Sequence, residues 1–191
     1  MSRQFAVILL AAVFLLTSIV VAWRWASDPS GKATGGATAA GQAILPPPEP
    51  GWATLYFPGR GGKLHPEQRA LGEETEGEAR IRLIVTELLR GPVSEELSPT
   101  LPAAVELSGL FLDIDGTLFL DFSSTEGSLG GIGSTAELLT VYSVVDTVLL
   151  NEPQAMRVVL MWNGRQHPSL AGHIDTTRPL TANRSLIAES S

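Results

Sequence analysis

Two aspartates that follow a hydrophobic run are the residues most suited to catalysis. In FLDIDGTLFLDF, residues 111–122, Asp113 and Asp115 are spaced two apart and precede Gly116 and Thr117. At the end of a strand, such a pair can support phosphoryl transfer, with the first carboxylate as nucleophile and the second as general acid and base. The motif therefore raises the hypothesis of a phosphatase.

The rest of the chain does not complete a phosphatase of the haloacid dehalogenase-like type. Such a site also needs a Lys or Arg for the phosphate and further carboxylates for magnesium. The 74 residues after Thr117 contain no Lys and no adjacent acidic pair. Asp115-Gly116 between two hydrophobic runs is instead typical of a type I′ hairpin turn, because both residues tolerate positive φ. We predict no catalytic residue and keep the phosphatase as a remote alternative.

A glycine-rich stretch, residues 131–136, fits the G-x-G-x-x-A pattern of a dinucleotide site. In such a site the glycine turn directly follows a parallel strand, whereas eight residues separate it from Phe122. Ser134 and Glu137 have the spacing of a capping box, in which each side chain bonds the other's backbone N–H. We expect a helix start here, whose free N–H groups could attract an anion.

The histidines do not form a metal-ligand pattern. His65, His167 and His173 each lie beside Pro or Gly in loop-like stretches. Metal sites usually show a tighter ligand constellation, so we expect solvated loop histidines. No metal and no cofactor is predicted.

Composition narrows the classes of partner. The 191 residues carry a net charge of −7 and include no cysteine. A negative field without a basic stripe argues against nucleic acid as a partner. Without cysteine there is no disulfide, no thiolate zinc site and no lipid-bearing Cys.

The N-terminal region predicts export. Phe5 to Ala22 is an uncharged apolar run of 18 residues, followed by Trp23 and Trp25. Its length favours an uncleaved transmembrane anchor over residues 1–25, although a signal cleaved after 20–22 and a secreted domain is the alternative. Residues 26–50 are rich in Gly, Ala and Pro, which predicts a tether. We expect a single-pass protein of the cytoplasmic membrane with its domain, residues 51–181, on the extracytoplasmic (periplasmic) side, and a flexible tail over 182–191.

The hydrophobic periods predict an α+β domain. Strands are expected at 52–57, 104–112, 117–122 and 155–162, with a short return segment over 170–180 after the Asn163-Gly164 turn. Helical stripes are expected over 78–90 and 134–151. The order β-α-β-β-α-β(β) with two hairpin turns predicts a sandwich of a mainly antiparallel sheet with both helices on one face.

Several segments together resemble the GerMN domain family of sporulation and spore-germination proteins. The segments are Leu55-Tyr56-Phe57, Leu88-Leu89-Arg90-Gly91-Pro92, Leu101-Pro102, Asp115-Gly116, Leu120-Asp121-Phe122, the Gly/Ser loop into Glu137, Tyr142-Ser-Val-Val-Asp146-Thr147 and Met161-Trp-Asn-Gly164. The resemblance covers about residues 52–180. It implies an exported, membrane-tethered α/β module without catalytic residues, associated in spore formers with assembly of envelope complexes.

The resulting hypothesis is a non-catalytic envelope module that binds a protein partner or another copy of itself. Its membrane contact would be residues 5–22, and its contact surface would involve the hairpin 111–122 and the loop that leads to Glu137. A domain that binds peptidoglycan or another cell-wall glycan is the alternative. The candidate interaction or motif residues are Asp115, Gly116, Gly131, Gly133, Ser134, Glu137, Asp146 and Thr147.

Overall fold

The computed structural model describes residues 51–72, 76–125 and 131–189. The predicted anchor, 1–25, and tether, 26–50, lie outside these ranges. Among the residues described, no helix combines the length and the apolar composition needed to cross a membrane.

The described part of the domain contains five strands and two helices. In chain order they are β1 (Trp52–Gly59), β2 (Lys63–Ala70), α1 (Gly77–Arg90), β3 (Val105–Leu112), β4 (Thr117–Ser124), α2 (Ser134–Asn151) and β5 (Arg157–Trp162). Two short 3-10 turns lie at Arg60–Gly62 and Arg184–Leu186.

The strands form two sheets, where a mainly antiparallel sandwich was predicted. One sheet is the antiparallel hairpin β1-β2, and the other has the order β3-β4-β5. β3 pairs antiparallel with β4, as expected, but β4 pairs parallel with β5. Mainly antiparallel pairing thus holds for two of the three strand pairs described; β4 and β5 are parallel because α2 is a crossover between them, and a crossover of this length returns the chain in the same direction.

β2 was missed by the sequence analysis. Its sequence, KLHPEQRA, contains a proline and one fully buried apolar side chain, Leu64, so it lacks the alternation of a strand. It nevertheless pairs with β1 along eight residues. A proline is tolerated at this position because β2 lies at the edge of its sheet.

One hydrophobic core joins both sheets and both helices. The predicted stripe of α1 is confirmed: Ile81, Ile84, Val85 and Leu88 are all buried. α1 packs against β3 and α2, and α2 packs against β1 and β5. The alternating side chains Leu118, Leu120 and Phe122 of β4 face this core.

The segment after β5 differs from the prediction. The expected return strand over 170–180 is reduced to a single antiparallel bridge between Val158 and Leu180. Residues 182–189 were expected to form part of a flexible tail, but two of them are held against β2: Ile187 forms a parallel bridge with Leu64, and the Ala188 N–H donates to the Leu64 carbonyl at 2.8 Å. The apolar pair Leu186-Ile187 explains this packing, because it covers a small cluster around Tyr56 and Leu64.

Candidate functional site

Asp113 acts as a turn residue in the β3-β4 hairpin. Its Oδ1 accepts the N–H of Asp115 at 2.9 Å and that of Thr117 at 2.7 Å, and its carbonyl accepts the N–H of Gly116 at 3.2 Å. These bonds are those of an Asx turn, in which the side chain imitates a backbone turn. The Asp113/Asp115 spacing is thereby explained by the hairpin.

The turn is not the predicted type I′. Gly116 has φ of 74°, but Asp115 is not among the residues with positive φ. The Asp113 N–H donates to the Thr117 carbonyl at 3.0 Å, so three residues, 114–116, lie between this last bonded pair, which is the hairpin geometry of a type I turn followed by one left-handed residue. Gly116 is therefore the residue that must adopt a left-handed conformation in this turn, and Asp115 is not.

Gly116→Ala is expected to lower the free energy of unfolding by about 2 kcal/mol, because an alanine would adopt a left-handed φ and crowd its surroundings. Its Cβ would lie 2.9 Å from the Gln154 carbonyl oxygen and 3.2 Å from Met156 Cγ. Gly164→Ala is the matched control, because Gly164 has the same φ of 74° and no atom within 4 Å of the added Cβ. Denaturant unfolding of both variants separates the two causes. Equal losses would show that the crowding at Gly116 has no effect.

Large apolar side chains are exposed around this turn. Ile114 is 102% exposed, Met156 61% and Phe111 58%. We call these three residues the tip surface. Phe111 also contacts Phe119 across the hairpin, with ring centroids 6.2 Å apart. Exposed apolar groups of this size on a defined turn are typical of a contact surface.

Hydrogen bonds join the β3-β4 turn to Met156 and to Arg157, the first residue of β5. The Met156 N–H donates to the Gly116 carbonyl at 2.8 Å. Arg157 Nε donates to Thr117 Oγ1 at 2.8 Å, and its Nη2 reaches the Asp115 carbonyl at 3.4 Å. The turn and the start of β5 therefore present Ile114 and Met156 as one unit.

The predicted capping box at α2 is wrong. Gly133, which has no side chain, is the N-cap residue, and Ser134 is already helical. The Glu137 N–H donates to the Gly133 carbonyl at 2.9 Å instead of to a capping side chain. Gly131 precedes the helix with φ of 91°. The spacing was misleading because the Glu137 side chain is bound to another loop.

Glu137 is completely buried and holds the loop around residue 173. Its carboxylate accepts the N–H groups of Ala171 and His173 and the Nδ1 of His173, each at 2.8 Å. Burial alone would raise the pKa of Glu137, but these hydrogen bonds outweigh it and hold the pKa below its usual value. His173 is therefore bound to a carboxylate and is not the freely solvated histidine that was expected.

Asp146 is also completely buried, on the same helix. Its Oδ1 accepts the N–H of Asn183 at 2.7 Å, and no donor in the described part of the chain reaches Oδ2. Burial raises the pKa of Asp146 to about 6, against the opposing effects of the Asn183 hydrogen bond and the Arg184 charge. The carboxyl group is under-satisfied, which distinguishes it from Glu137.

Thr147 belongs to a row of polar side chains on α2, which we call the polar row. These side chains hydrogen-bond the backbone of β1, as a neighbouring strand would do. Ser143, Thr147 and Asn151 recur every four residues, so they lie on one face of the helix. Ser143 Oγ donates to the Tyr56 carbonyl at 2.5 Å, and Thr147 Oγ1 accepts the Tyr56 N–H at 3.0 Å. Asn151 Oδ1 accepts the Thr54 N–H at 2.9 Å, and its Nδ2 donates to the Thr54 carbonyl at 2.7 Å.

The predicted site residues do not converge on one centre. Asp115 and Gly116 form the hairpin turn, Gly131, Gly133 and Ser134 precede or begin α2, and Glu137, Asp146 and Thr147 bind other parts of the backbone. In residues 51–72, 76–125 and 131–189, no group of three or more His, Asp or Glu is placed to hold a metal ion.

Sequence reasoning named the hairpin 111–122 as a contact surface but did not single out its exposed apolar residues or Met156, and of the polar row of α2 it named Thr147 alone. Ile114 between two aspartates was a signal for the first, because an isoleucine in a tight turn has no core to enter. Polar residues at i, i+4 and i+8 within an apolar helix were a signal for the second.

The fold defines a class of protein: a small two-sheet α+β domain whose two helices share one core with both sheets. The sequence profile of the family Germane, described as sporulation and spore germination, matches residues 54–167, which is more than half of the chain. The chain therefore belongs to this family, as the resemblance to GerMN domains indicated.

Solved structures share the fold. The first GerMN domain of the sporulation protein GerM from Bacillus subtilis aligns with a TM-score of 0.55 and 23% identity over 68% of this chain and 96% of that one. A protein described as a lipoprotein from Clostridium perfringens aligns with a TM-score of 0.50 and 21% identity over 68% of this chain and 86% of that one. The tandem GerMN domains of GerM align with a TM-score of 0.53 and 17% identity over 82% of this chain and 51% of that one. This chain therefore spans about half the length of the tandem pair. Comparison with curated protein sequences returned no significant match.

Proposed function

We propose that this protein is a non-catalytic module of the cell envelope that binds a protein partner through the tip surface. In this proposal residues 5–22 anchor the chain in the cytoplasmic membrane, and the domain lies on the extracytoplasmic side. Membership of a sporulation and spore-germination family supports an envelope role. The observation that carries the partner contact is the exposure of Ile114 on the β3-β4 turn, of Phe111 at the end of β3 and of Met156, which is hydrogen-bonded to the turn.

An apolar surface of this kind favours a protein over a glycan. Glycan sites rely on exposed Trp or Tyr beside carboxylates. Tyr56 is buried, and the exposed Trp52 lies by Arg80, which donates both to the Trp52 carbonyl and to the buried carboxylate of Glu152. Isoleucine and methionine offer dispersion contacts and no hydrogen bonds, which suits an apolar pocket on a partner protein.

A photo-crosslinking side chain in place of Ile114 is expected to capture a protein when the full-length chain is in washed membranes of its host. The same replacement at Val93 is the matched control, because Val93 is an apolar residue 77% exposed outside the tip surface. A product specific to position 114 supports the proposed contact. A product between two copies would indicate self-association, and a cell-wall glycan at position 114 would favour the alternative.

Ile114→Ser tests whether the Ile114 side chain is needed to bind the partner. Because the Ile114 side chain is fully exposed, its loss is expected to change the free energy of unfolding by less than about 0.5 kcal/mol, while the partner identified by the crosslink no longer copurifies with the full-length chain. Equal labelling at positions 114 and 93 would contradict the proposed surface. Release of the full-length chain from the membranes by an alkaline wash would contradict the anchor.

A further inference from the structure

Residues 183–188 form a segment that we call the strap. Its first contact is the Asn183 N–H, which donates to Asp146 on α2, and its last is the Ala188 N–H, which donates to the Leu64 carbonyl on β2. Between them, Lys63 Nζ donates to the Ser185 carbonyl at 2.6 Å. The strap is thus fastened at both ends to elements that are distant in sequence.

The strap covers an apolar cluster separate from the main core. Tyr56, Leu64 and Leu139 are its buried members, and Leu186 and Ile187 of the strap pack against it. Beneath the same segment lies the Asp146 carboxyl, fully buried, with its Oδ2 lacking a donor in the described chain. A buried carboxylate with a free oxygen is costly, so this site favours a protonated carboxyl or contact with water.

The groups that face Asp146 do not neutralise it. Tyr56 comes from β1 and Tyr142 from α2. Burial raises the pKa of each and the Asp146 charge adds to this effect, which for Tyr56 outweighs the lowering of its pKa by the Arg184 charge, so both remain neutral. Arg184 on the strap attracts the carboxylate but is itself exposed, which weakens the attraction through solvent screening. Lys63 on β2 is bound to the Ser185 carbonyl.

We infer that the strap is a proton-linked closure that stays shut while Asp146 is protonated and opens more readily once Asp146 is ionised. Opening would hydrate the carboxylate and uncover the apolar cluster together with the edge of β2 at Leu64. This inference is independent of the proposed contact at the tip surface, because it concerns α2, β2 and the strap.

The coupling between strap closure and protonation of Asp146 determines the sign and the size of the pH dependence. The closed state raises the pKa of Asp146 from 3.8 to about 6, so closure binds a proton and weakens as the pH rises through that range. If opening restores the ordinary pKa, the opening equilibrium constant is about tenfold larger at about pH 8 than at about pH 5.

Amide hydrogen exchange of the full-length chain, corrected for the intrinsic pH dependence of exchange, tests the closure. The Ala188 amide is expected to exchange through local opening, faster than the amide of Tyr56 in β1, and its opening constant is expected to rise about tenfold between about pH 5 and about pH 8. In Asp146→Asn, which keeps the acceptor for the Asn183 N–H but does not titrate, that rise is expected to vanish. Exchange of Ala188 only together with Tyr56, or the same rise in both proteins, would overturn the inference.

A second variant keeps the test informative if Asp146→Asn fails to fold. Ile187→Ala removes apolar contact between the strap and the cluster and leaves Asp146 in place. It is expected to raise the opening constant of Ala188 at both pH values and to retain the tenfold difference between them. Unchanged exchange of Ala188 in this variant would show that the strap does not close over the cluster.

Discussion

Glu137→Ala is expected to lower the free energy of unfolding by about 3–5 kcal/mol, which is among the largest losses that a single substitution in this domain can cause. The loss is large because the substitution leaves the hydrogen-bond donors of this carboxylate without an acceptor. The N–H groups of Ala171 and His173 and the imidazole of His173 all bond to it, and the carboxylate itself is fully buried. Without it, the loop loses its attachment to α2.

Two controls give the Glu137 prediction its specificity. His173→Ala removes the imidazole and leaves both backbone N–H donors, so we expect a loss of about 1 kcal/mol. Glu106→Ala removes an exposed carboxylate from β3 and is expected to change stability by less than about 0.5 kcal/mol. Urea unfolding at neutral pH provides the comparison. A Glu137→Ala midpoint equal to that of Glu106→Ala would refute the assigned role.

The same carboxylate also predicts a direction of pH dependence. Because the folded state holds the pKa of Glu137 below its unfolded value of 4.5, its contribution is complete above that value and is lost as the pH falls through the folded-state pKa. The difference between the wild type and Glu137→Ala should therefore shrink in acid.

Asn151→Ala is expected to lower the free energy of unfolding by about 2–4 kcal/mol, because it leaves two buried backbone groups of Thr54 without partners. The Asn151 amide both accepts from the Thr54 N–H and donates to the Thr54 carbonyl. Thr86→Ala on α1 is the matched control: Thr86 is exposed, and its hydroxyl donates to the Arg82 carbonyl within its own helix. Denaturant unfolding of both variants is the measurement.

The Asn151 variant is also expected to associate more readily. The polar row of α2 satisfies the edge of β1 that would otherwise pair with another strand, and an unsatisfied edge is a template for intermolecular pairing. Size-exclusion chromatography at increasing concentration would detect this association in Asn151→Ala and not in Thr86→Ala. Equal stability of the two variants would mean that α2 does not replace a strand for β1.

Local patterns were sufficient to predict several elements. The apolar spacing of α1, its end at Gly91-Pro92 and the β3-β4 hairpin are all confirmed. Each depends on residues within a few positions of one another, so periodicity and turn chemistry determine them directly. The family, too, was recognisable from the order and spacing of short segments.

The pairing of strands and the roles of the buried polar residues depend on contacts between distant segments. The parallel pairing of β4 with β5 depends on the path of α2, and the edge position of β2 explains a strand that contains Pro66. Asn151 and Thr54 are 97 residues apart, so no local signal links them.

Glu137 illustrates the same division. From the sequence alone its spacing from Ser134 predicted a cap, which would have been a contact within one helical turn; in the fold its partners lie 34 and 36 residues away. Where helices, turns and apolar stripes occur could be read from local sequence, because those preferences arise between near neighbours. The fold decided which polar groups are removed from water and what must satisfy them, because burial depends on segments brought together from across the chain.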